Sequence, residues 1–266
     1  MAEVLVPVNF ESGETRQPMV NLSETHAARF SQLDSDRFGI RVARAQISSG
    51  ALPQVMESCA EQKIDLLVAR CAVSDFANIH ALESHGFLLT DTLVYYSFDL
   101  ARRSPPADTG EFPVRSLRPE DSEQVQAVAA AAFKGYVGHY HADRRLDRRK
   151  CDEAYSDWAA RSCVPGLAAD HALVAEHGGH VIGFATLRIN SPLEVEGLLF
   201  AVAPEYQGRG VCRSFMIHSL EWTRSQGAQR MLISTQITNV SMQKVWTRVG
   251  FELRYSYYTF HKWFDR

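Results

Sequence analysis

Two glycines late in the chain have a spacing that suits phosphate binding. Gly208 and Gly210 follow the apolar residues 198–202 and precede a segment with helical periodicity. Because glycine has no Cβ, the backbone can turn tightly at both positions and a ligand can approach closely. The first N–H groups of a helix, with the positive end of its dipole, bind anions. The pattern predicts a diphosphate site, to which Arg209 and Arg213 add positive charge.

Other glycine-rich phosphate loops fit this segment poorly. A Walker A loop requires Gly-Lys followed by Ser or Thr, and the segment lacks it. The dinucleotide fingerprint requires a third glycine at position 213, which is Arg213, and it normally opens the fold. Taken alone, the residues also match an ordinary strand–helix turn, so the surrounding sequence has to decide.

That surrounding sequence resembles the GNAT acetyltransferase superfamily. The family motif is Gln/Arg-x-x-Gly-x-Gly/Ala after a strand that ends in Val-x-Pro. It is matched by Val202-Ala203-Pro204 and Gln207-Gly208-Arg209-Gly210-Val211-Cys212. Asn239 and Gly250-Phe251 follow in the family's order, and residues 114–119 are similar to its opening strand. The resemblance covers residues 112–260.

The resemblance implies acetyl-CoA as co-substrate. The pantetheine arm would lie beside the backbone of Phe200, Ala201 and Val202 like an added strand. The pyrophosphate would lie on residues 207–212, and Asn239 would reach the cofactor from the next strand. The expected cofactor-binding residues are Phe200, Ala201, Val202, Gln207, Gly208, Arg209, Gly210, Val211, Cys212, Arg213, Asn239 and Trp246.

The resemblance also suggests how protons are handled. Transfer to an amine requires the free base and a stabilised oxyanion. Glu196 matches the family's general base and is preferred over Glu194 because it lies closer to the motif; a solvent-facing carboxylate is the alternative. The family often has a Tyr acid seven residues after the Asn, where this chain has Trp246. An indole N–H donates a hydrogen bond but is not a useful acid.

Aromatic and histidine residues between positions 136 and 143 are candidates for acceptor binding. Tyr136 and Tyr140 would stack on a base or sugar, and His141 would bond hydroxyl groups; a solvated loop is the alternative. The His-x-His pattern of His139 and His141 has no partner at a known metal-ligand spacing, so we expect no metal site.

Strands and helices are predicted to alternate on both sides of a Pro-rich linker at residues 105–111. The linker divides a degenerate half-domain, residues 1–104, from a catalytic domain, residues 112–266. Before it we predict strands at 39–47, 64–70 and 87–100 and helices at 52–63 and 74–85. After it we predict strands at 112–117, 171–176, 180–189, 193–202, 231–236 and 251–260 and helices at 122–133, 148–161, 211–225 and 240–249. Residues 1–30 lack periodicity.

Both halves end with similar elements. Gly86-Phe87 and Gly250-Phe251 are 164 positions apart, as are Asp75 and Asn239. Either two αβ units resemble each other by chance or a half-domain was duplicated. The predicted fold class is α/β (α+β), with two tandem acetyltransferase-like domains around mixed central sheets. The first domain is truncated and degenerate because it lacks the glycine turn.

Composition excludes several classes of protein. The 266 residues are 45% hydrophobic and 22% charged, which supplies a core and excludes a disordered chain. A net charge of -3 argues against nucleic acid as partner. No apolar run is long enough for a membrane span. Five widely spaced cysteines without a Cys-x-x-Cys pair are typical of reduced thiols in a cytoplasmic protein. A homodimer is compatible with the sequence.

The sequence thus predicts an N-acetyltransferase for a small-molecule amine, with direct transfer in a ternary complex. Residues 36–40, 81–87 and 133–143 resemble the dTDP-fucosamine (dTDP-4-amino-4,6-dideoxygalactose) N-acetyltransferases and their relatives. That favours a nucleotide-linked amino-dideoxysugar as acceptor. The alternatives are another amine, such as a polyamine, peptide or antibiotic, or a non-enzymatic acyl-CoA-binding protein, which Trp246 would suit.

Overall fold

A computed structural model describes residues 4–5, 28–48, 50–164 and 166–264. Its strands are β1 (Val4–Leu5), β2 (Arg29–Phe30), β3 (Val42–Gln46), β4 (Leu66–Ala72), β5 (Leu88–Asp99), β6 (Val114–Ser116), β7 (His171–His177), β8 (His180–Ser191), β9 (Glu194–Val202), β10 (Arg230–Gln236) and β11 (Glu252–Trp263). Its helices are α1 (Gln32–Phe38), α2 (Leu52–Glu61), α3 (Phe76–Ser84), α4 (Ser122–Ala132), α5 (His139–Ala142), α6 (Arg148–Ser162), α7 (Val211–Ser225) and α8 (Val240–Val249). The predicted mixed α/β fold is confirmed.

The chain forms two compact units, each built from three segments. Unit 1 contains Met1–Gly13, Val94–Tyr136 and Asp152–Arg254. Unit 2 contains Glu14–Leu93, Val137–Cys151 and Tyr255–Arg266. Both units therefore draw residues from both sides of the linker, and the domain boundary at residues 105–111 stays a prediction.

Unit 1 is organised around a sheet with the strand order β10-β9-β8-β7-β6. Neighbouring strands from β6 to β9 run antiparallel, whereas β9 and β10 run parallel. Helix α7 buries an apolar stripe in the core, as its periodicity predicts. Phe200, Phe215 and Trp246 are among the fully buried side chains of this core.

Unit 2 has a sheet in which β2, β3, β4 and β11 are successive neighbours. β3 and β4 run parallel, and the other two pairs run antiparallel. Because side chains alternate along a strand, the sheet has two faces. Ala43, Leu67 and Phe260 lie in an apolar cluster with helices α2 and α3. The opposite face combines apolar residues with buried charged groups such as Arg44 and Arg70.

Most predicted elements are confirmed within a few residues, but α1 and β2 were not predicted, and three further details differ. Helix α3 begins at Phe76, after the predicted start at residue 74, and Asp75 caps it by accepting the N–H of Asn78 at 3.1 Å. Residues 139–142, predicted as loop, form the short helix α5. Strand β11 continues to Trp263, beyond the predicted end at residue 260. Most of residues 1–30, which showed no periodicity, lie outside the described residues.

The two units repeat the same strand register. In unit 2, Val42 pairs with Leu66 and Arg44 with Val68. In unit 1, Glu194 pairs with Arg230 and Glu196 with Leu232. Leu66 and Arg230 are 164 positions apart, as are Val68 and Leu232. This is the separation that also relates the two Gly-Phe pairs. A shared register over two strands favours duplication over chance resemblance.

Within the described part of the chain, every helix is too short or too polar to cross a bilayer.

Candidate active site

The parallel pairing of β9 with β10 ends before either strand does. The last pair is Gly197 with Ile233, although β9 continues to Val202 and β10 to Gln236. On its other edge, β9 stays paired with β8 as far as Val202. The backbone of β9 beyond Gly197 therefore has an edge, on the β10 side, where an extended segment can add as a strand. This edge includes the predicted residues Phe200, Ala201 and Val202.

Strand β1 lies on that edge. Val4 pairs with Ala201 and Leu5 with Phe200, both antiparallel. Phe184 and Ala185 of β8 pair with the same two residues of β9. Since β9 has only two edges and β8 occupies one, β1 pairs with the other edge, beyond the point where pairing with β10 ends at Gly197.

A bulge in β9 lies where the strands separate. The register with β8 passes from Leu187–Gly197 to Thr186–Leu199. Leu198 is therefore the extra residue, and among the described strands neither β8 nor β10 pairs with it. This bulge was not predicted from the sequence. Gly197 was the available signal, because a glycine inside a strand often marks a bulge.

The predicted glycine turn is confirmed in its backbone geometry. A 3₁₀ turn at Pro204–Tyr206 follows β9, and α7 begins immediately after Gly210. Gly208 and Gly210 have φ of +74° and +87°, a left-handed conformation that favours glycine. A Cβ at either position would meet nothing within 4 Å. A ligand can therefore approach the turn closely at both glycines, as an anion cradle at a helix N-terminus requires.

The other motif residues help to hold this turn in place. The Gln207 side chain donates to the carbonyl of Val202 at 3.0 Å, which ties the turn to the end of β9. Val211 and Cys212 are buried in the core of unit 1. Their side chains therefore pack, and any contact they make with a cofactor would come from their backbone.

Both arginines of the turn contact acidic residues of the linker. Arg209 donates to both carboxylate oxygens of Glu111, at 3.1 and 3.2 Å, and its guanidinium lies 4.7 Å from the centre of the Phe112 ring. Arg213 donates to the carbonyl of Ala107 at 3.1 Å and lies 3.6 Å from the carboxylate of Asp108.

Glu196 is buried in a polar network that the sequence did not reveal. It is 1% exposed, and its Oε2 accepts from Asn190 at 3.0 Å and from Arg188 at 3.3 Å. Glu194 is less buried and lies 3.3 Å from Arg230. The available signal was the hairpin of β8 and β9, which pairs Arg188 directly with Glu196. The solvent-facing alternative for Glu196 is wrong because its carboxylate is buried.

Asn239 and Trp246 have clear roles in the fold. Asn239 caps α8 by accepting the N–H of Met242 at 3.4 Å, and its amide donates to Thr235 at 3.1 Å. Trp246 is fully buried, with its ring 5.3 Å from that of Tyr96. Its indole N–H has no hydrogen-bond partner among the residues that the structure describes. Contact of either residue with a cofactor stays a prediction.

The predicted acceptor residues do not form one cluster within a unit. Tyr136 belongs to unit 1, where its ring packs edge-on against Tyr155 at 5.1 Å. Tyr140 belongs to unit 2 and is buried, with its hydroxyl donating to Asp34 at 2.8 Å and accepting from Arg44 at 2.6 Å. His141 accepts the N–H of Gly138 at 3.1 Å and stays half-buried. Tyr140 is therefore part of a buried hydrogen-bond network in unit 2. Stacking of its ring on a base or sugar, as predicted, would require it to leave this network.

Unit 2 also contains a buried chain of two histidines and a carboxylate. The Nδ1 of His261 lies 2.7 Å from Asp143, and its Nε2 lies 2.9 Å from the Nδ1 of His139. Since Asp143 only accepts, His261 donates to it from Nδ1. Burial, with smaller contributions from neighbouring cations, lowers the pKa of His139 well below its usual value. Among the described residues, no group of three or more His, Cys, Asp or Glu is placed to hold a metal ion.

Comparisons with known proteins agree with this geometry. Residues 137–251 match the family model described as the acetyltransferase (GNAT) family. A curated relative is the spore coat polysaccharide biosynthesis protein SpsD of Bacillus subtilis (strain 168). The two are 26% identical over 205 residues, which cover 75% of this chain and 67% of the relative.

Two solved structures share the fold. A functionally unknown conserved protein from Staphylococcus epidermidis ATCC 12228 has a TM-score of 0.61 at 11% identity, covering 94% of each chain. A tandem GNAT protein from the clavulanic acid biosynthesis pathway has a TM-score of 0.55 at 14% identity, covering 80% of this chain and 68% of that one. With the glycine turn and the separated strands of unit 1, these matches support one assignment: residues 137–251 are similar to the GNAT acetyltransferase family.

Proposed function

We propose that this chain transfers the acetyl group of acetyl-CoA to the primary amine of a nucleotide-linked amino-dideoxysugar. Acyl transfer from acetyl-CoA to an amine is the activity of the GNAT family, whose model matches residues 137–251. The observation that best supports a cofactor site is the combination, within unit 1, of a strand edge on β9 and a glycine turn directly after it.

These two features suit different parts of acetyl-CoA. The pantetheine arm carries amides, which can pair with the backbone of Phe200, Ala201 and Val202 beyond the last β9–β10 pair once Val4 and Leu5 leave that edge. The pyrophosphate is an anion and matches the N-terminus of α7, where Gly208 and Gly210 leave open space. The distance in sequence between these features is short, which suits one ligand that spans both.

Glu196 is the proposed proton acceptor for the amine. Arg188 and Asn190 both donate to its Oε2, which orients the carboxylate. The amine must lose a proton before or during attack, and an oriented carboxylate can take it directly or through water. Leu198, which neither neighbouring strand pairs, offers a backbone N–H to the oxyanion that forms when the amine attacks.

Two observations support an aminosugar as acceptor. The chain resembles the dTDP-fucosamine N-acetyltransferases in residues 36–40, 81–87 and 133–143. The name of its curated relative SpsD places that protein in spore coat polysaccharide biosynthesis, which is carbohydrate chemistry. We also propose a cytoplasmic location, because all five cysteines are present as thiols.

Measurement of CoA release with a panel of amines tests the proposal. The panel contains dTDP-4-amino-4,6-dideoxygalactose, a polyamine, a lysine peptide and an aminoglycoside, each at equal concentration with acetyl-CoA. We expect the highest kcat/KM with the nucleotide sugar. A preference for the peptide or polyamine would refute the substrate class and leave the acetyltransferase activity standing.

A further inference from the structure

The two arginines that flank the glycine turn are paired with carboxylates of the chain itself. Arg209 bonds both oxygens of Glu111, and Arg213 lies beside Asp108 and donates to Ala107. All these residues belong to unit 1. The positive charge expected to receive phosphates is therefore shared with the acidic linker.

Asp108 fastens the linker to helix α7. One carboxylate oxygen accepts from Ser214 at 3.0 Å and from the N–H of Gly110 at 3.0 Å. The other oxygen lies 3.2 Å from His218. Gly110 lies against the same helix so closely that an added Cβ would be 2.1 Å from the Ser214 hydroxyl. The linker is thus docked on the first turns of α7, beside the glycine turn.

Carboxylates and phosphates compete for guanidinium groups because both accept two parallel N–H bonds. We propose that the linker segment 107–111 is an internal anion that occupies Arg209 and Arg213 and is displaced when acetyl-CoA binds. The inference rests on the proposed function, because it concerns regulation of the same cofactor site. Stronger contacts of the linker with Arg209 and Arg213 would then lower the affinity for acetyl-CoA, and weaker contacts would raise it.

The partial exposure of these contacts makes such an exchange feasible. The side chains of Arg209 and Glu111 are 41% and 63% exposed. Ion pairs at this exposure contribute only about 0.2–1 kcal/mol, which corresponds to about 1.5- to 5-fold in an equilibrium constant. A phosphate carries more charge than a carboxylate and can therefore displace it.

The edge of β9 that is expected to bind the pantetheine arm is also occupied by a segment of the chain itself, strand β1. Val4 and Leu5 pair with Ala201 and Phe200 on the edge expected to bind the pantetheine amides. The chain thus covers the site at both ends: at the backbone of β9 and at the arginines of the turn. This second contact involves a different segment and different chemistry, and it supports the same conclusion.

Calorimetric titration of acetyl-CoA into two variants tests the proposal. Glu111→Gln removes the charge that pairs with Arg209. Gly110→Ala keeps every charge but places a methyl group 2.1 Å from the Ser214 hydroxyl. Either that hydroxyl turns away from Asp108 or the linker moves off α7, and both changes weaken the docking of the linker. We expect both variants to bind acetyl-CoA about 1.5- to 5-fold more tightly than the unmodified chain, with a smaller gain for Glu111→Gln at high salt.

The matched control is Glu252→Gln. Glu252 is also an exposed carboxylate of unit 1 paired with an arginine, Arg103, at 2.8 Å. Its removal should leave the affinity unchanged. The inference would be overturned if either variant bound acetyl-CoA with the same affinity as the unmodified chain. If only Glu111→Gln bound more tightly, its charge would act by long-range repulsion of the cofactor and not by docking of the linker. If even the unmodified chain failed to bind acetyl-CoA, the proposed function itself would be wrong.

Discussion

Arg44 of unit 2 occupies the sheet position that Glu196 occupies in unit 1. Arg44 pairs with Val68 and Glu196 with Leu232, and these partners are equivalent in the internal repeat. Both side chains are buried, and each has an oppositely charged partner: Asp34 for Arg44 and Arg188 for Glu196. The sheet position that the two units share thus carries opposite charges, so the proposed base lies in unit 1.

Glu196→Gln should lower kcat by about 10²–10⁴-fold, the usual contribution of a general base. The amide keeps the shape of the side chain and its contact with Asn190 but cannot take a proton. Initial rates with saturating acetyl-CoA between pH 6 and 9 measure the effect, and acetyl-CoA affinity should not change.

Glu194→Gln is the matched control because Glu194 lies two residues away on the same strand and also pairs with an arginine, Arg230. It should keep most of the activity. Equal losses in both variants would indicate that the carboxylates only maintain the strand, and would remove Glu196 from the proposed mechanism.

Gly210→Val should abolish acetyl-CoA binding. A β-branched side chain at φ of +87° is strained by about 1–3 kcal/mol, and it would fill the space proposed for the pyrophosphate. Gly227→Val provides the comparison, because Gly227 also has a positive φ and open space around it but follows the far end of α7. Both variants should lose similar stability in urea. If both also kept their affinity in calorimetry, the turn would not be the phosphate site.

Trp246→Phe should cost stability rather than turnover. The ring is fully buried against Tyr96, so a smaller ring leaves a cavity, at about 1–3 kcal/mol. Urea unfolding measures the loss, and steady-state assays at a temperature where the variant is folded measure kcat. A large fall in kcat with unchanged acetyl-CoA affinity would show instead that the indole N–H acts on the reacting groups.

Stability should fall as the pH drops below about 6.5, because burial lowers the pKa of His139 in the folded chain. The unfolded chain then binds a proton that the folded chain does not, so each pH unit costs up to about 1.4 kcal/mol of unfolding free energy. Urea unfolding at pH 5.5 and 7.5 measures this slope. His139→Gln should flatten it and His141→Gln should not; an unchanged slope in His139→Gln would assign the proton to another group.

The parts of the site that depend on local sequence were predictable. The glycine turn, the start of α7 and the cap of α8 by Asn239 each follow from a few adjacent residues whose chemistry permits one local conformation. The strand edge on β9 was expected from the family resemblance and agrees with the register.

Features that depend on distant pairings were not predictable. Tyr140 is buried against Asp34 and Arg44, which lie 106 and 96 positions away in the sequence. No local pattern around Tyr140 indicates these contacts. The Arg188–Glu196 pair lies between two register shifts of the β8–β9 hairpin, one at Asn190 and one at Leu198, and such bulges change which residues face each other. The docking of the linker on α7 likewise joins residues about one hundred positions apart, which no local pattern indicates.

The most direct test of the account is acetylation of the sugar amine itself. The protein is incubated with acetyl-CoA and dTDP-4-amino-4,6-dideoxygalactose, and mass spectrometry follows the sugar while a thiol reagent follows CoA. We predict that an acetyl group is added to the amine in step with CoA release, and that Glu196→Gln and Gly210→Val both lose the product. Binding of acetyl-CoA without acetylation of this or any other amine in the panel would contradict the account and identify an acyl-CoA-binding protein instead.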